Sequence, residues 1–254
     1  MVSFRSAGAD AYGSFMGPYA EPLAAPFADH AGVGGRQRAL DVGSGPGALT
    51  EVLASRLGAE AVCAVEPSPT FAAAARRRLP RVALCRAVAE HLPFADHVFD
   101  VVAAQLVVHF MADPVGGLRE MRRVTRSGGT VAACVWDYGG DRGPASPLWR
   151  AARDVDPLAP DESGLPGARE GHLVTLFAEA GVGDLRAATL TVTVRYPSFE
   201  RWWEPLTLGV GPAGMYVASR DADQRAALRQ QCRMLLPGGP VEIRASAWAV
   251  AGRA

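Results

Sequence analysis

Between Leu40 and Gly47 the chain reads Leu-Asp-Val-Gly-Ser-Gly-Pro-Gly, with three glycines set directly after an apolar run. Glycines in that density allow positive φ and leave no Cβ between the backbone and whatever rests on it. Ala48 to Leu57 continues as a helix, since Leu49, Val52, Leu53 and Leu57 recur on one face and Gly58 stands where a glycine ends a helix. Arg38 to Val42 then reads as the end of a strand. A strand turning this sharply into a helix points free N–H groups and a positive dipole end at the space above, a setting for a carboxylate or phosphate. The expected ligand is of nucleotide type, and the expected fold is α/β.

The spacing alone leaves two ligand classes open. Gly43-x-Gly45-x-x-Ala48 also satisfies a dinucleotide fingerprint with alanine in its last place. Asp41, two residues before the first glycine, separates them: a carboxylate there repels a pyrophosphate and attracts the ammonium and sulfonium of S-adenosylmethionine. Ala61 to Val65 is a continuous apolar run that reads as a buried parallel strand, with Glu66-Pro67 at its carboxyl end. Glu66 can accept hydrogen bonds from two ribose hydroxyls, which both classes require.

Further strands are expected at Val82 to Arg86, Phe99 to Ala104 and Thr130 to Trp136, around Leu190 to Val194, and at Val241 to Val250. Between them the pattern predicts a helix capped by Ser68 or Thr70 and running to Arg78. A second should be capped by Asp113, with Pro114 at its first position and Ser127-Gly128-Gly129 ending it. Further helices are expected near Leu148 to Arg153, over Gly171 to Ala180 and from about Asp223 to Leu236. Strands alternating with helices, then two strands around an insertion, describe a doubly wound, mostly parallel seven-stranded sheet.

Four motifs occur in order: Asp41-Val42-Gly43-Ser44-Gly45-Pro46-Gly47, Glu66, Ala89-Glu90-His91-Leu92-Pro93-Phe94, and Phe99-Asp100-Val101-Val102 leading to His109. Together they resemble class I S-adenosylmethionine-dependent methyltransferases, closest to the small-molecule group that includes the quinone-biosynthesis C-methyltransferases. The resemblance covers residues 36 to 136. It implies a Rossmann-like sheet whose last strand runs antiparallel, a leading helical segment over the cofactor at 1–35, and helical substrate-cover insertions near 137–168 and 197–237. All would belong to one domain spanning 1–254.

On this resemblance the cofactor-binding candidates are Tyr12, Met16, Asp41, Gly43, Ser44, Gly45, Gly47, Glu66, Pro67, Ala89, Glu90, Gln105 and Leu106. Tyr12 and Met16 equally suit ordinary packing. The family often has an acid before the alanine of its adenine loop, where this chain has Val88, leaving Glu90 or backbone groups for adenine. Trp136, Tyr138, Trp202 and Trp203 are candidates for the wall of an acceptor pocket, or for core packing. His109, four residues past Gln105, is the catalytic candidate, as a base for a hydroxyl acceptor or as a residue shaping the pocket.

Composition narrows the alternatives. All 26 basic residues are arginine. Without lysine there is no Walker A loop, no Schiff-base mechanism and no Tyr-x-x-x-Lys dehydrogenase pair. Net charge is zero, with no basic block for nucleic acid or an acidic membrane. Cys63, Cys85, Cys134 and Cys232 lack metal-ligand spacing, and no metal is expected. Met1 to Asp10 does not read as a leader, and no apolar run has membrane-spanning length. The expectation is a cytoplasmic, bacterial methyltransferase, monomeric or homodimeric, acting on an oxygen or carbon of an aromatic, quinone-like or secondary-metabolite acceptor. The alternatives are a cofactor-binding protein without methyl transfer and a nicotinamide-dependent oxidoreductase.

Overall fold

A computed structural model describes residues 8–236 and 238–254; Met1 to Ala7, where part of the leader reading falls, and Pro237 in the second insertion lie outside the described residues. The strands are β1 (Ala39–Val42), β2 (Val62–Val65), β3 (Ala83–Cys85), β4 (Phe99–Gln105), β5 (Thr125–Trp136), β6 (Gly183–Tyr196) and β7 (Val241–Arg253). They form one sheet in the order β3-β2-β1-β4-β5-β7-β6. The first five pair in parallel, and β7 runs antiparallel to both β5 and β6. The chain changes direction between β1 and β4, so the crevice beyond their carboxyl ends is where such a sheet binds its ligand.

Alternation along the central strands gives the sheet two apolar faces. In β5, Ala132, Cys134 and Trp136 serve one core, and Val131, Ala133 and Val135 the other. The first face is covered by α2 (Gly17–His30) and α3 (Ala48–Leu57), the second by α5 (Pro114–Val124) and α7 (His172–Glu179). The row Ala245, Ala247, Ala249 and Ala251 on β7 is small enough to let α2 pack closely. α1 (Ala9–Phe15) precedes α2, and the two are separated at Met16. Pro22 and Pro26 lie inside α2 without ending it, because Tyr19, Leu23 and Phe27 anchor that helix in the core.

Helix α4 (Pro69–Arg78) is capped by Ser68, and Asp113 caps α5 by accepting from Gly116 N at 2.9 Å. The end of α5 departs from expectation. Ser127-Gly128-Gly129 does not terminate it; the helix stops at Val124, and β5 already begins at Thr125. Thr125 Oγ1 donates to Met121 O at 2.7 Å at this boundary. The glycines instead make a register irregularity opposite Phe99 and Val101, where Gly128 takes φ +75° and a Cβ on Gly129 would stand 2.8 Å from Asp100 O.

The two late insertions hold more helix than the sequence pattern predicts. The first contains α6 (Ser146–Val155); the second contains α8 (Phe199–Trp203), α9 (Gly211–Ala218) and α10 (Ala222–Leu235). α6 and α10 pack against each other, so segments far apart in sequence join into one cover. Among the described residues, no helix is long and apolar enough to cross a membrane, and no three His, Cys, Asp or Glu side chains are grouped to hold a metal.

Candidate active site

Gly43 N and Ser44 N both donate to Val65 O, at 2.8 and 3.0 Å, and tie the glycine turn to the end of β2. Gly43 has φ +71° and Gly45 φ +55°. A Cβ on Gly43 would lie 2.6 Å from the Val107 side chain, whereas one on Gly45 would meet nothing within 4 Å. Gly45 therefore marks the open side of the turn. Gly47, at φ +103°, begins α3, with Leu79 close behind it.

Glu66 faces this turn. Its carboxylate accepts from Gly45 N at 2.9 Å and from Ser68 N at 2.7 Å, spanning the gap between the turn and the start of α4. Pro67 follows, with its carbonyl accepting from Arg86. Asp41 lies beneath, almost wholly buried, and accepts from Thr50 Oγ1 at 2.6 Å. Burial pushes the Asp41 carboxyl up to about 7, the Thr50 hydrogen bond opposes that, and the charge of Glu66 adds to it. Two acids beneath a glycine turn favour a cationic ligand over a pyrophosphate.

Tyr12, on α1, has its ring centroid 5.0 Å from that of Phe71. Burial, and then the charge of Glu66, drive its phenol above the ordinary range. Ser44 Oγ and Gln105 Oε1 are buried with no protein partner, and Gln105 Nε2 donates to Ala20 O at 2.8 Å. Leu106 closes β4 in the left-handed region at φ +63°, its N–H held by Cys134 O at 2.9 Å.

Two cofactor candidates are placed differently from expectation. Glu90 accepts from Ala112 N at 2.7 Å and from Asp113 N at 3.3 Å, so its carboxylate holds the entry to α5. Ala89 beside it is buried among Met111 and Gly117. Met16 lines a separate narrow cavity together with Phe15, Tyr138, Pro144, Glu162 and Pro212. That cavity has a volume of about 10 Å³, room for about one water molecule.

Of the four aromatic candidates, Tyr138 alone lines the cavity. Asp137 fixes it there: the buried carboxylate accepts from Gly140 N at 2.7 Å and Arg142 Nε at 2.5 Å, closing the loop that carries Tyr138. A Cβ on Gly143 would stand 2.7 Å from the Tyr138 ring, so the loop is cut to fit it. Trp136 is fully buried against Tyr19, edge to face at 6.4 Å. Trp202 and Trp203 pack with Phe199 in a buried cluster on α8. These three are packing residues because the cover helices bury them, a circumstance their local sequence does not encode.

His109 sits in the short turn Val108–Phe110, buried, its ring centroid 5.9 Å from Tyr138. Burial lowers its imidazole to about 3, and Nδ1 has no protein partner, so the ring is neutral at physiological pH. It is not among the residues that line the cavity.

Glu162 went unnoticed in the sequence. It lies in the Pro/Gly-rich stretch between α6 and α7, where no periodicity marks a residue as buried. Its carboxylate is nevertheless buried, accepting from Trp149 Nε1 at 2.7 Å and hydrogen-bonded by the Tyr138 side chain. An acid near two aromatic donors of the same cover was the available signal, but only the packing of α6 reveals the pairing.

Residues 40–133 match the family model described as a methyltransferase domain. A demethylmenaquinone methyltransferase of Mycolicibacterium paratuberculosis is 41% identical over 103 residues, covering 41% of this chain and 43% of the relative. The chain thus aligns with less than half the length of the curated relatives it matches. Among solved structures, the YcgJ protein of Bacillus subtilis superposes with TM-score 0.59 at 17% identity, covering 91% of this chain and 97% of that one. The [4+2]-cyclase SpnF superposes with TM-score 0.56 at 20% identity, covering 92% and 81%. These two show a shared fold. The family match ends at residue 133, before Tyr138 and Glu162.

Proposed function

We propose that the protein transfers a methyl group from S-adenosylmethionine to a small hydroxylated aromatic or quinol acceptor. The observation that carries this reading is α1: its Tyr12 ring packs on Phe71 of α4, the helix that follows Glu66, while Phe15 at its end lines the cavity that holds Tyr138 and Glu162. One helix roofs both a nucleoside-type crevice and an apolar cavity, as two-substrate transfer requires.

The crevice residues fit this cofactor. Glu66 is placed to accept from ribose hydroxyls, Asp41 and Glu66 supply the negative field for an ammonium and a sulfonium, and Gly45 leaves room above the turn. The orphaned Ser44 Oγ and Gln105 Oε1 are polar atoms that ligand or water would satisfy. Tyr12, Gly43, Gly47, Pro67, Ala89 and Leu106 complete the set assigned to it; Met16 is assigned to the acceptor side. Bound S-adenosylmethionine supplies an activated methyl on a good leaving group.

The protein's own part is to bind, orient and exclude water. At about 10 Å³ the cavity is far below the roughly 300–1,000 Å³ of ordinary ligand sites, so α1 and α9 must part to admit an acceptor and close again over it. His109, neutral and with its ring 5.9 Å from that of Tyr138, is assigned to shaping that wall. The name of the mycobacterial relatives supports a quinol-type acceptor. We assign no nucleic-acid or membrane partner, a monomer or homodimer, and a cytoplasmic setting like that of a soluble bacterial enzyme.

The test is calorimetric titration with S-adenosylhomocysteine and, in parallel, NADH, on wild type and Asp41→Ala. Micromolar-class binding of the first, weakened at least tenfold by the substitution and absent for NADH, is expected. No binding, or a preference for NADH, would overturn the assignment.

A further inference from the structure

The acceptor cavity is apolar except for two groups. Phe15 and Met16 close it from α1, Pro144 and Ala145 from the loop before α6, and Pro212 and Ala213 from α9; Tyr138 and Glu162 alone bring polar atoms. Among the described residues no arginine or histidine lines it to neutralise a phosphate or carboxylate on the acceptor. The one ionisable acid is held from two sides, by Trp149 Nε1 at 2.7 Å and by Tyr138, and is oriented rather than free to swing into solvent.

Resting on the methyl-transfer reading above, we propose that Glu162 is the catalytic base of this cavity, taking the proton from the hydroxyl of a flat, uncharged hydroxyarene, with Tyr138 and Trp149 as its positioning residues. In this step the acceptor O–H bond breaks and its proton passes to a Glu162 carboxylate oxygen. The electron pair left on the acceptor forms the bond to the methyl carbon, and the carbon–sulfur pair departs with sulfur as a neutral thioether. Transfer at oxygen releases one proton overall. Transfer at a ring carbon also releases one, since the displaced ring hydrogen restores the hydroxyl when aromaticity returns.

Several facts favour Glu162 over His109. Glu162 lines the cavity, while His109 is not among its lining residues. Burial raises the Glu162 carboxyl to about 7, partly offset by the Trp149 and Tyr138 hydrogen bonds and augmented by neighbouring Asp161. A carboxyl there is a far stronger proton acceptor at neutral pH than an imidazole lowered to about 3. Beyond Tyr138 stand Tyr12 and His109, both uncharged at neutral pH, and the α1 and α9 residues facing the cavity carry no charge.

The test uses 2-naphthol as a neutral hydroxyarene, naphthalene as its hydroxyl-free control and an aminomethyl-naphthalene as a cationic competitor, with binding followed from pH 5 to 9. For wild type, 2-naphthol affinity is expected to rise as pH passes through about 7, where Glu162 ionises. In Glu162→Gln that rise should vanish, with affinity at pH 8 at least tenfold weaker while naphthalene binds both proteins alike. Trp149→Phe, which removes a donor without touching the acid, should keep binding and move the midpoint upward. Wild-type behaviour of E162Q towards 2-naphthol would overturn the proposal, as would loss of the pH dependence in His109→Ala instead. Tenfold preference for the amine, abolished in E162Q, would overturn the hydroxyl class. S-adenosylhomocysteine binding, measured on the same samples, separates the two readings. If it binds wild type but naphthol ignores E162Q, Glu162 is not the base. If naphthol behaves as expected and the nucleoside does not bind, methyl transfer fails instead.

Discussion

Gly43 and Gly45 sit in one turn with similar positive φ, +71° and +55°, yet face different surroundings. Alanine at either position carries the left-handed penalty of about 1–2 kcal/mol. At Gly45 that is the whole cost, because a Cβ meets nothing within 4 Å. At Gly43 the new Cβ would stand 2.6 and 2.7 Å from the two methyls of Val107, and such crowding adds about 1–3 kcal/mol. Gly43→Ala should therefore cost about 2–5 kcal/mol and Gly45→Ala about 1–2 kcal/mol. Adding Val107→Ala to G43A should recover the crowding share, a coupling of about 1–3 kcal/mol in a double-mutant cycle. Urea unfolding of the four variants and wild type reads these values directly. Ligand affinity should reverse the order of harm relative to stability: G45A, nearly unharmed in folding, fills the open side of the turn and should lose S-adenosylhomocysteine affinity at least tenfold. Equal stabilities of G43A and G45A, or no rescue by V107A, would refute the argument that Val107 sets the limit at Gly43.

Asp41, raised to about 7 in the folded protein against about 3.9 unfolded, keeps a proton that the unfolded chain releases. Stability should thus fall as pH rises from about 4 to about 7 and then level, with a slope approaching 1.4 kcal/mol per pH unit for one such proton. Asp41→Asn should remove one proton's share of that fall in urea titrations at pH 5 and 8, and an unchanged slope would count against the burial of its charge. Asp137→Ala removes the charged acceptor of Gly140 N and Arg142 Nε and should cost about 2–3 kcal/mol in thermal or urea unfolding. It should also loosen Tyr138, seen as weaker 2-naphthol binding at unchanged S-adenosylhomocysteine affinity; equal loss of both would mean the loop does not act on Tyr138 alone.

Where the chain carries local signals, sequence and structure agree closely. Leu49, Leu53 and the flanking glycines specify α3, Ser68 and Asp113 cap their helices, and the mostly apolar runs at 39–42, 62–65 and 99–105 form largely buried parallel strands. Asp41 and Glu66 were legible as acids at the ends of adjacent strands because parallel pairing brings strand ends into register. The glycine run after Val124 misled because glycine ends a helix or bends a strand equally well, and the choice here belongs to the pairing of β5 with β4.

The acceptor side is different in kind. Trp136, Tyr138, Trp202 and Trp203 are alike as residues, and only the closure of α1, α6 and α9 over the sheet decides that Tyr138 meets the cavity while the others are packed away. Glu162 takes its environment from Trp149 thirteen residues earlier and from Tyr138 on another loop, contacts that no local pattern encodes. The sequence by itself determined the sheet and the nucleoside-type crevice, since backbone propensity, periodicity and turn chemistry act over a few residues. The tertiary structure decided which acid and which ring face the cavity, because burial and proton affinity are set by what packs around a group in space.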